Sequence, residues 1–354
     1  MLSGHGGGIP EWALRAGIRP GEIIDFSISV NTPPDEGFLR QKFEDSLSAI
    51  HRYPDPQYSQ LRAAISKKYG LRPENVLVGN GSTELLYLIP RVFAPKSALV
   101  LVPSYADYAD SARFAGADVR RFFLDEKNRF KIDEKRFLAE TKSAEMVVIG
   151  NPNNPTGGVI EKGLVLRAAV EAPDVVFLVD ESFADYAPEA SLLREFLPNM
   201  IVLRSFTKFY GIPGLRLGYS ASTPETTQKI LARKEPWTVN CVAESFAMSF
   251  LKGSEETDAW IRGAAISAKN ELFDFLGTIR QLEVFPSHAN FVLVKIRGRV
   301  MSALRLQEEL LKRGKLVRDC SNFEGLDEYF FRIGAKTSEE NASLVESLRT
   351  IFSA

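Results

Sequence analysis

Ser205-Phe206-Thr207-Lys208, followed by Gly211, Gly214 and Arg216, sets one amine among hydroxyls, glycines and a fixed cation. A lysine so placed can form a Schiff base with the aldehyde of pyridoxal phosphate, while Ser205, Thr207 and the Arg216 guanidinium gather round a phosphate as donors. Glycines let backbone come close to a ligand. Taken alone, an S-x-T-K run also suits a solvated surface lysine beside hydroxyls. Its neighbours therefore decide what it means.

Residues 175–179 form a continuous apolar run, as expected for a strand buried on both faces, and the run ends in Asp180-Glu181. That puts Asp180 at a strand's carboxyl end, where ligands of open α/β sheets bind. A carboxylate there can pair with a protonated pyridine nitrogen, or it can simply cap a helix. Residues 146–149 run into Gly150-Asn151-Pro152-Asn153-Asn154-Pro155-Thr156-Gly157, where Asn154 offers an amide donor to the cofactor's phenolic oxygen. Residues 75–78 read as a strand, Gly79-Asn80-Gly81-Ser82-Thr83 as a turn, and a helix is predicted from about Glu84. The free N–H groups of its first turn make an anion site suited to the cofactor phosphate. Tyr105, after a strand over 98–102, can lie flat on a pyridine ring or serve as a packing tyrosine.

Composition bounds the reading from outside. A chain of 354 residues, 45% of them hydrophobic, can build one large domain with a smaller one attached. A formal charge of -1 gives no reason to expect nucleic acid or an anionic membrane as partner. Cys241 and Cys320 stand far apart, and the histidines are His5, His51 and His288, so no metal site and a reducing, cytoplasmic setting are expected. No signal-like apolar core opens the chain, no apolar run approaches membrane-spanning length, and no internal repeat is found.

From about Tyr53 to Ala221, helical stretches such as 57–69 and 105–115 alternate with short apolar strands, which predicts a largely parallel sheet covered by helices. After Pro236-Trp237-Thr238-Val239-Asn240 come longer helices, about 243–251 and 258–276, then strands such as 290–296. The expected division is an N-terminal arm and part of a small domain over 1–44, a large cofactor-binding domain over 45–238, and a small α+β domain over 239–354.

The ordered set G-N-G-S-T-E, P-S-Y, N-P-N-N-P-T-G, D-E-S-F, S-F-T-K and G-L-R-L-G resembles the fold-type I pyridoxal-phosphate enzymes of the aminotransferase class over nearly the whole chain. The resemblance implies Lys208 as the Schiff-base lysine, Asp180 on the ring nitrogen, Asn154 on the ring oxygen and Tyr105 as the stacking ring. It further implies Gly81, Ser82, Thr83, Ser205 and Arg216 as the phosphate cup, with Thr207 beside them. Tyr53, in His51-Arg52-Tyr53-Pro54-Asp55, is similar to the family tyrosine that reaches the cofactor phosphate of a neighbouring subunit. A homodimer with shared active sites follows from that likeness.

Within the family, His5-Gly6-Gly7, Asp25-Phe26-Ser27, the run Lys208-Phe209-Tyr210-Gly211-Ile212-Pro213-Gly214 and Arg318-Asp319-Cys320 resemble the threonine-phosphate decarboxylases of the cobalamin pathway. Histidinol-phosphate aminotransferases share the central cofactor motifs. L-threonine O-phosphate carries two anionic groups, so its site needs two fixed cations besides Arg216. Arg318 and Arg332 each follow a short apolar or aromatic segment, and by resemblance both belong to the substrate site; solvent-facing strand arginines are the plainer alternative. His5, Gly6 and Gly7 are expected to close over the substrate phosphate, unless the terminus is merely disordered. One position departs from the family, whose Asp-Phe-Ser segment continues with Asn-x-Asn-Pro: Ser29 stands for the first Asn, a substrate contact. A hydroxyl is shorter and carries one donor where an amide carries two, which makes L-serine O-phosphate a credible relative substrate. Three classes stay open: a phospho-amino-acid decarboxylase, an aminotransferase, and a non-catalytic cofactor-binding protein, the last opposed by the intact Lys, Asp, Asn and Arg set.

Overall fold

A computed structural model describes residues 6–32, 35–253 and 255–353. Its strands are β1 (Ile24–Asp25), β2 (Val76–Gly79), β3 (Ser97–Val102), β4 (Asp118–Phe123), β5 (Met146–Gly150), β6 (Val176–Asp180), β7 (Met200–Ser205), β8 (Gly218–Ala221), β9 (Leu282–Val284), β10 (Phe291–Ile296), β11 (Lys315–Leu316), β12 (Arg318–Asp319) and β13 (Phe330–Gly334).

The large sheet runs β2-β8-β7-β6-β5-β3-β4. Only β8 is antiparallel to its neighbours, so the other six strands point one way. The apolar runs of β5 and β7 are buried along their whole length because helices cover both faces, as parallel sheets require. Val147, Val179 and Val202 face one core, while Val148, Leu178 and Ile201 face another. The carboxyl ends of β2, β5, β6 and β7 consequently open on one edge.

The helix after β2 is Gly81–Phe93, beginning three residues before the expected Glu84. Glu84 explains the difference: its carboxylate turns back to accept from the Asn80 N–H at 2.5 Å, so the polar turn is itself the first turn of the helix. Gly81, Ser82 and Thr83 thus lie on that first turn.

The smaller sheet, β12-β13-β10-β9, is antiparallel throughout. The helices Glu255–Gly277, Ala303–Leu311 and Ser338–Ser353 cover it, burying Leu272, Leu276, Leu306, Leu310, Leu344 and Leu348. Phe26, fully buried, joins this core from the N-terminal segment, and β1 pairs with β11. The helix Glu36–Ser46 goes elsewhere: its Phe38 ring meets Phe250 of the helix Cys241–Leu251 at 5.6 Å. That second helix buries Ala243, Ala247 and Leu251 in the core of the large sheet.

Candidate active site

Gly79 at the end of β2 and Ser205 at the end of β7 are both register partners of Gly218 at the start of β8. The two following turns are thereby set side by side. A Cβ on Gly218 would fall 2.4 Å from the Ser82 nitrogen, and one on Gly81 would fall 2.5 Å from Arg216 Nη2, so only glycine fits either place. Arg216 holds a left-handed backbone (φ 57°), and its Nη1 donates to the Pro213 carbonyl at 3.3 Å. Among the described residues it has no carboxylate partner. Beside this cradle the hydroxyls of Ser205 and Thr207 lie 2.8 Å apart.

Asp180 is the last residue of β6 and is buried. Its Oδ2 accepts from the Tyr108 hydroxyl at 2.9 Å, and its Oδ1 accepts from the Ser182 N–H at 2.9 Å and the Ser182 hydroxyl at 2.6 Å. The partner of Asp180 in register is Gly150, where a Cβ would sit 2.8 Å from the Tyr108 oxygen. Glycine there makes the hydrogen bond possible.

Lys208 lies in the short helix Phe206–Phe209, capped by Ser205. Burial holds its amine below the usual lysine range; Asp180 opposes that effect, while Arg216 and Arg332 add to it. Phe183 lies 5.7 Å from Nζ. The Lys208 carbonyl accepts from the Asn31 N–H at 3.0 Å and the Tyr186 hydroxyl at 3.3 Å, and the Asn31 amide donates to the Phe209 carbonyl at 2.8 Å. Asn31 is therefore a clamp on the helix that presents the lysine.

Across from Lys208 stands the smaller sheet. Arg318 and Arg332 are direct cross-strand partners, both buried. Like charges opposite one another in a strand pair are destabilising, and an anion between them removes the cost. Arg332 donates to Asn154 Oδ1 through Nη1 and to the Ser27 carbonyl through Nη2 at 2.8 Å, while its Nε has no partner. Burial pushes its pKa down to about 10, which leaves it cationic at neutral pH. Because arginine only donates, Asn154 must turn its oxygen toward it and keep its NH2 group as the remaining donor. Arg318 donates to Asn322 Oδ1 at 2.8 Å and lies 5.1 Å over the Phe323 ring.

Between these walls is a cavity of about 320 Å3 whose lining includes Lys208, Tyr105, Asn154, Arg216, Arg318 and Arg332, together with Thr83, Ser29 and Gly6. Tyr105 donates to Asp107 at 2.7 Å and meets Tyr108 edge-on; burial and Asp107 raise its pKa. Ser29 is buried with a hydroxyl that has no partner. The arm is tethered at Ser27, whose hydroxyl accepts from the Gly7 N–H at 2.7 Å and donates to Asp25 at 2.5 Å. Gly6 passes so close that a Cβ would fall 2.3 Å from the Ser27 oxygen. His5 lies outside the described residues.

Tyr53 is not on this wall. It is 83% exposed, with its ring against Trp237 at 5.1 Å. Gly81, Ser82, Ser205 and Thr207 also fall outside the lining, around the Arg216 cradle. Tyr108, Ser182, Asn31 and Ser27 were given no individual role in the sequence, although Ser27 and Ser182 lie in the Asp-Phe-Ser and D-E-S-F motifs and Tyr108 in the same Pro-Ser-Tyr-Ala-Asp-Tyr run as Tyr105. Among the described residues, no group of three or more His, Cys, Asp or Glu is placed to hold a metal, and no helix is long and apolar enough to cross a membrane.

Residues 23–348 match the aminotransferase class I and II family, and the chain belongs to it. It is therefore an enzyme of a pyridoxal-phosphate family, with the fold-type I architecture. It is 35% identical to the adenosylcobalamin biosynthesis bifunctional protein CobDQ of Leptospira interrogans over 99% of this chain, but spans only 41% of that protein's length. Identity to the threonine-phosphate decarboxylase of Salmonella typhimurium is 30% over 99% of this chain and 97% of the relative. For the histidinol-phosphate aminotransferase of Methanococcus maripaludis strain C6 it is 31%, over 96% and 93%. Among solved structures, the histidinol-phosphate aminotransferase of Clostridium acetobutylicum superposes with a TM-score of 0.85 at 30% identity, covering 93% of this chain and 98% of that one. The L-threonine-O-3-phosphate decarboxylase of Porphyromonas gingivalis does so with 0.80 at 28%, covering 93% and 99%.

The cofactor is pyridoxal 5'-phosphate, and the residues fit it. The glycine cradle under Arg216 suits its phosphate, the buried Asp180 suits its ring nitrogen, and the Asn154 NH2 suits its ring oxygen. When bound, it supplies an electron sink at the substrate α-carbon.

Proposed function

We propose that this chain decarboxylates L-threonine O-3-phosphate to (R)-1-amino-2-propanol O-2-phosphate, within cobalamin biosynthesis. The observation that carries the reading is the directly opposed pair Arg318 and Arg332, both facing the cavity that holds Lys208. Two fixed cations match a substrate with two anionic groups; histidinol phosphate has one. The two family relatives named as threonine-phosphate decarboxylases agree with it.

In this reading Arg332, oriented by Asn154 and Ser27, would grip the substrate carboxylate and orient its bond to the α-carbon for cleavage. Arg318 and the Gly6-Gly7 arm take the phosphate and exclude water. Asp180, held by Tyr108 and Ser182, would face the ring nitrogen. The depressed basicity of Lys208 suits its amine to holding the cofactor, and its Nζ, on the cavity wall, would return a proton to the substrate α-carbon.

The same proposal places Tyr53 across a two-fold interface, on the cofactor phosphate of a partner subunit, where its exposure and its Trp237 neighbour would be covered. It also places the enzyme in the cytoplasm, where its two free cysteines remain reduced. Inactive Lys208→Ala and Tyr53→Phe subunits, mixed, should regenerate activity, because one hybrid site has both native residues. A fully active Tyr53→Phe protein removes the shared site.

The deciding assay offers L-threonine O-phosphate, L-serine O-phosphate and histidinol phosphate separately, and follows CO2 release alongside keto-acid-dependent turnover. CO2 from threonine phosphate is expected. Transamination of histidinol phosphate with no CO2 from either phospho-amino acid overturns the proposal in favour of an aminotransferase. Preference for serine phosphate retains the reaction and changes the substrate.

A further inference from the structure

The helix that presents Lys208 is a single turn, Phe206–Phe209, too short to hold itself in water. Its position depends on what its carbonyls find, because the last carbonyls of a helix have no partner inside it. Two are met from the residues that follow: the Phe206 carbonyl accepts from the Tyr210 N–H at 3.3 Å, and the Thr207 carbonyl from the Ile212 N–H at 3.2 Å. Asn31 serves the other two, its backbone N–H donating to the Lys208 carbonyl at 3.0 Å and its side-chain NH2 to the Phe209 carbonyl at 2.8 Å. Phe209 lies 178 positions from Asn31 in the chain. Asn31 itself does not line the Lys208 cavity, although Ser27 and Ser29 of the same segment do.

Asn31 is attached on its other side to the opposite wall. With its NH2 committed to Phe209, its Oδ1 is an acceptor, and it receives the Tyr186 hydroxyl at 2.9 Å and the Asn290 NH2 at 3.3 Å. Asn290 directly precedes β10, and its backbone carbonyl accepts from the Ala335 N–H at 2.9 Å, one residue beyond β13. The segment leading to Asn31 follows that same strand: the Phe26 carbonyl accepts from the Gly334 N–H at 2.8 Å, and only glycine at 334 leaves room for the Ile28 carbonyl. Arg332 stands in the middle of β13. One asparagine therefore joins the turn that carries Lys208 to the strand that carries Arg332.

We propose that Asn31 is a positioning residue for the reaction, setting the distance between the Lys208 amine and the wall on which Arg332 stands. Lys208 Nζ has to come within proton-transfer reach of the α-carbon of a substrate held from the other wall, and a misplacement of about 1 Å can cost on the order of 100-fold in rate. Asn31 acts on the chemistry through Lys208 and not through substrate binding. The link runs through backbone atoms of β13 and its neighbours, so truncation of the Arg332 side chain leaves it in place. The inference rests on Lys208 as the lysine that holds the cofactor and moves the proton. It applies to decarboxylation and transamination alike, since either reaction moves a proton at the α-carbon.

The test compares the cofactor-loaded Asn31→Ala, Asn31→Asp and Tyr186→Phe variants with the native enzyme, on whichever substrate of the deciding assay turns over. Asn31→Asp keeps the shape and the acceptor and loses the donor to Phe209, so it answers the question even where the alanine variant folds poorly. Both Asn31 variants should lose on the order of 10- to 100-fold in kcat with KM little changed. Tyr186→Phe, which removes only a hydroxyl from the same junction, should lose roughly 2- to 10-fold in kcat. A second readout needs no turnover: hydrogen–deuterium exchange over residues 206–212 should be faster in the Asn31 variants than in the native protein, with and without cofactor. Unchanged kcat in both Asn31 variants, a loss carried by KM alone, or unaltered exchange over 206–212 overturns the proposal. Cofactor fixed by borohydride to a lysine other than Lys208 would instead remove the reading on which it rests.

Discussion

The two walls of the Lys208 cavity are built in opposite ways. On the large-sheet wall the polar contacts are mostly short-range: Ser182 serves Asp180 two residues away, and Thr207 pairs with Ser205 two residues away. Asp180 already accepts from three donors, while Arg216 donates to the Pro213 carbonyl. On the small-sheet wall Arg332 reaches Asn154 across 178 residues and Ser27 across 305, and both Arg332 Nε and the Ser29 hydroxyl are left without partners. A wall that holds a resident cofactor can orient its groups in advance by local contacts. On the proposed function, a wall that receives a transient anion keeps donors open and tolerates two opposed guanidinium groups until the anion arrives.

That contrast can be attacked from either side. Lys208→Ala should have the largest effect, a loss on the order of 10^2- to 10^4-fold from its proton role alone. Mass spectrometry after borohydride reduction should find no cofactor on the chain; cofactor fixed to another lysine would remove Lys208 from its role. Arg332→Ala should come next, since truncating one partner of a buried charge pair costs about 2–5 kcal/mol, roughly 30- to 4,000-fold in kcat/KM. The cofactor spectrum should be unchanged, and a lost spectrum would show the two walls to be one unit. Tyr108→Phe deletes a hydrogen bond to a buried carboxylate, about 1.5–3 kcal/mol. Its effect should appear in kcat and cofactor retention with KM little altered, and a pure KM effect would contradict the division. Ser29→Asn should be the smallest change, shifting the preference between serine and threonine phosphates by about 1–3 kcal/mol at most. Competition between the two substrates measures it, and an unaltered ratio would leave Ser29 without influence on selectivity.

The strand-end residues were readable because sheet topology converts a local pattern into a place. An apolar run followed by Asp180, or by Gly150 and the Asn154 turn, must end at the ligand edge of a parallel sheet. The start of the helix after β2 was misjudged by three residues because Glu84 accepts from a backbone N–H upstream, a contact that propensity does not reveal. The lone antiparallel strand β8 was equally hidden, since four buried residues, Gly-Tyr-Ser-Ala, read the same in either direction. Tyr108 was visible as a residue but not as a partner of Asp180, 72 positions away.

By itself the sequence determined the α/β class, the cofactor motifs and their order along the chain, because each depends on residues adjacent to one another and on the alternation of buried and exposed positions. Only the tertiary structure decided that Arg318 and Arg332 stand opposite each other, that Asn31 clamps the Lys208 helix, and that Ser29 and Asn290 carry unmatched polar atoms. Those facts depend on the register of one strand against another and on segments brought together across hundreds of residues, and no local pattern encodes which groups meet there.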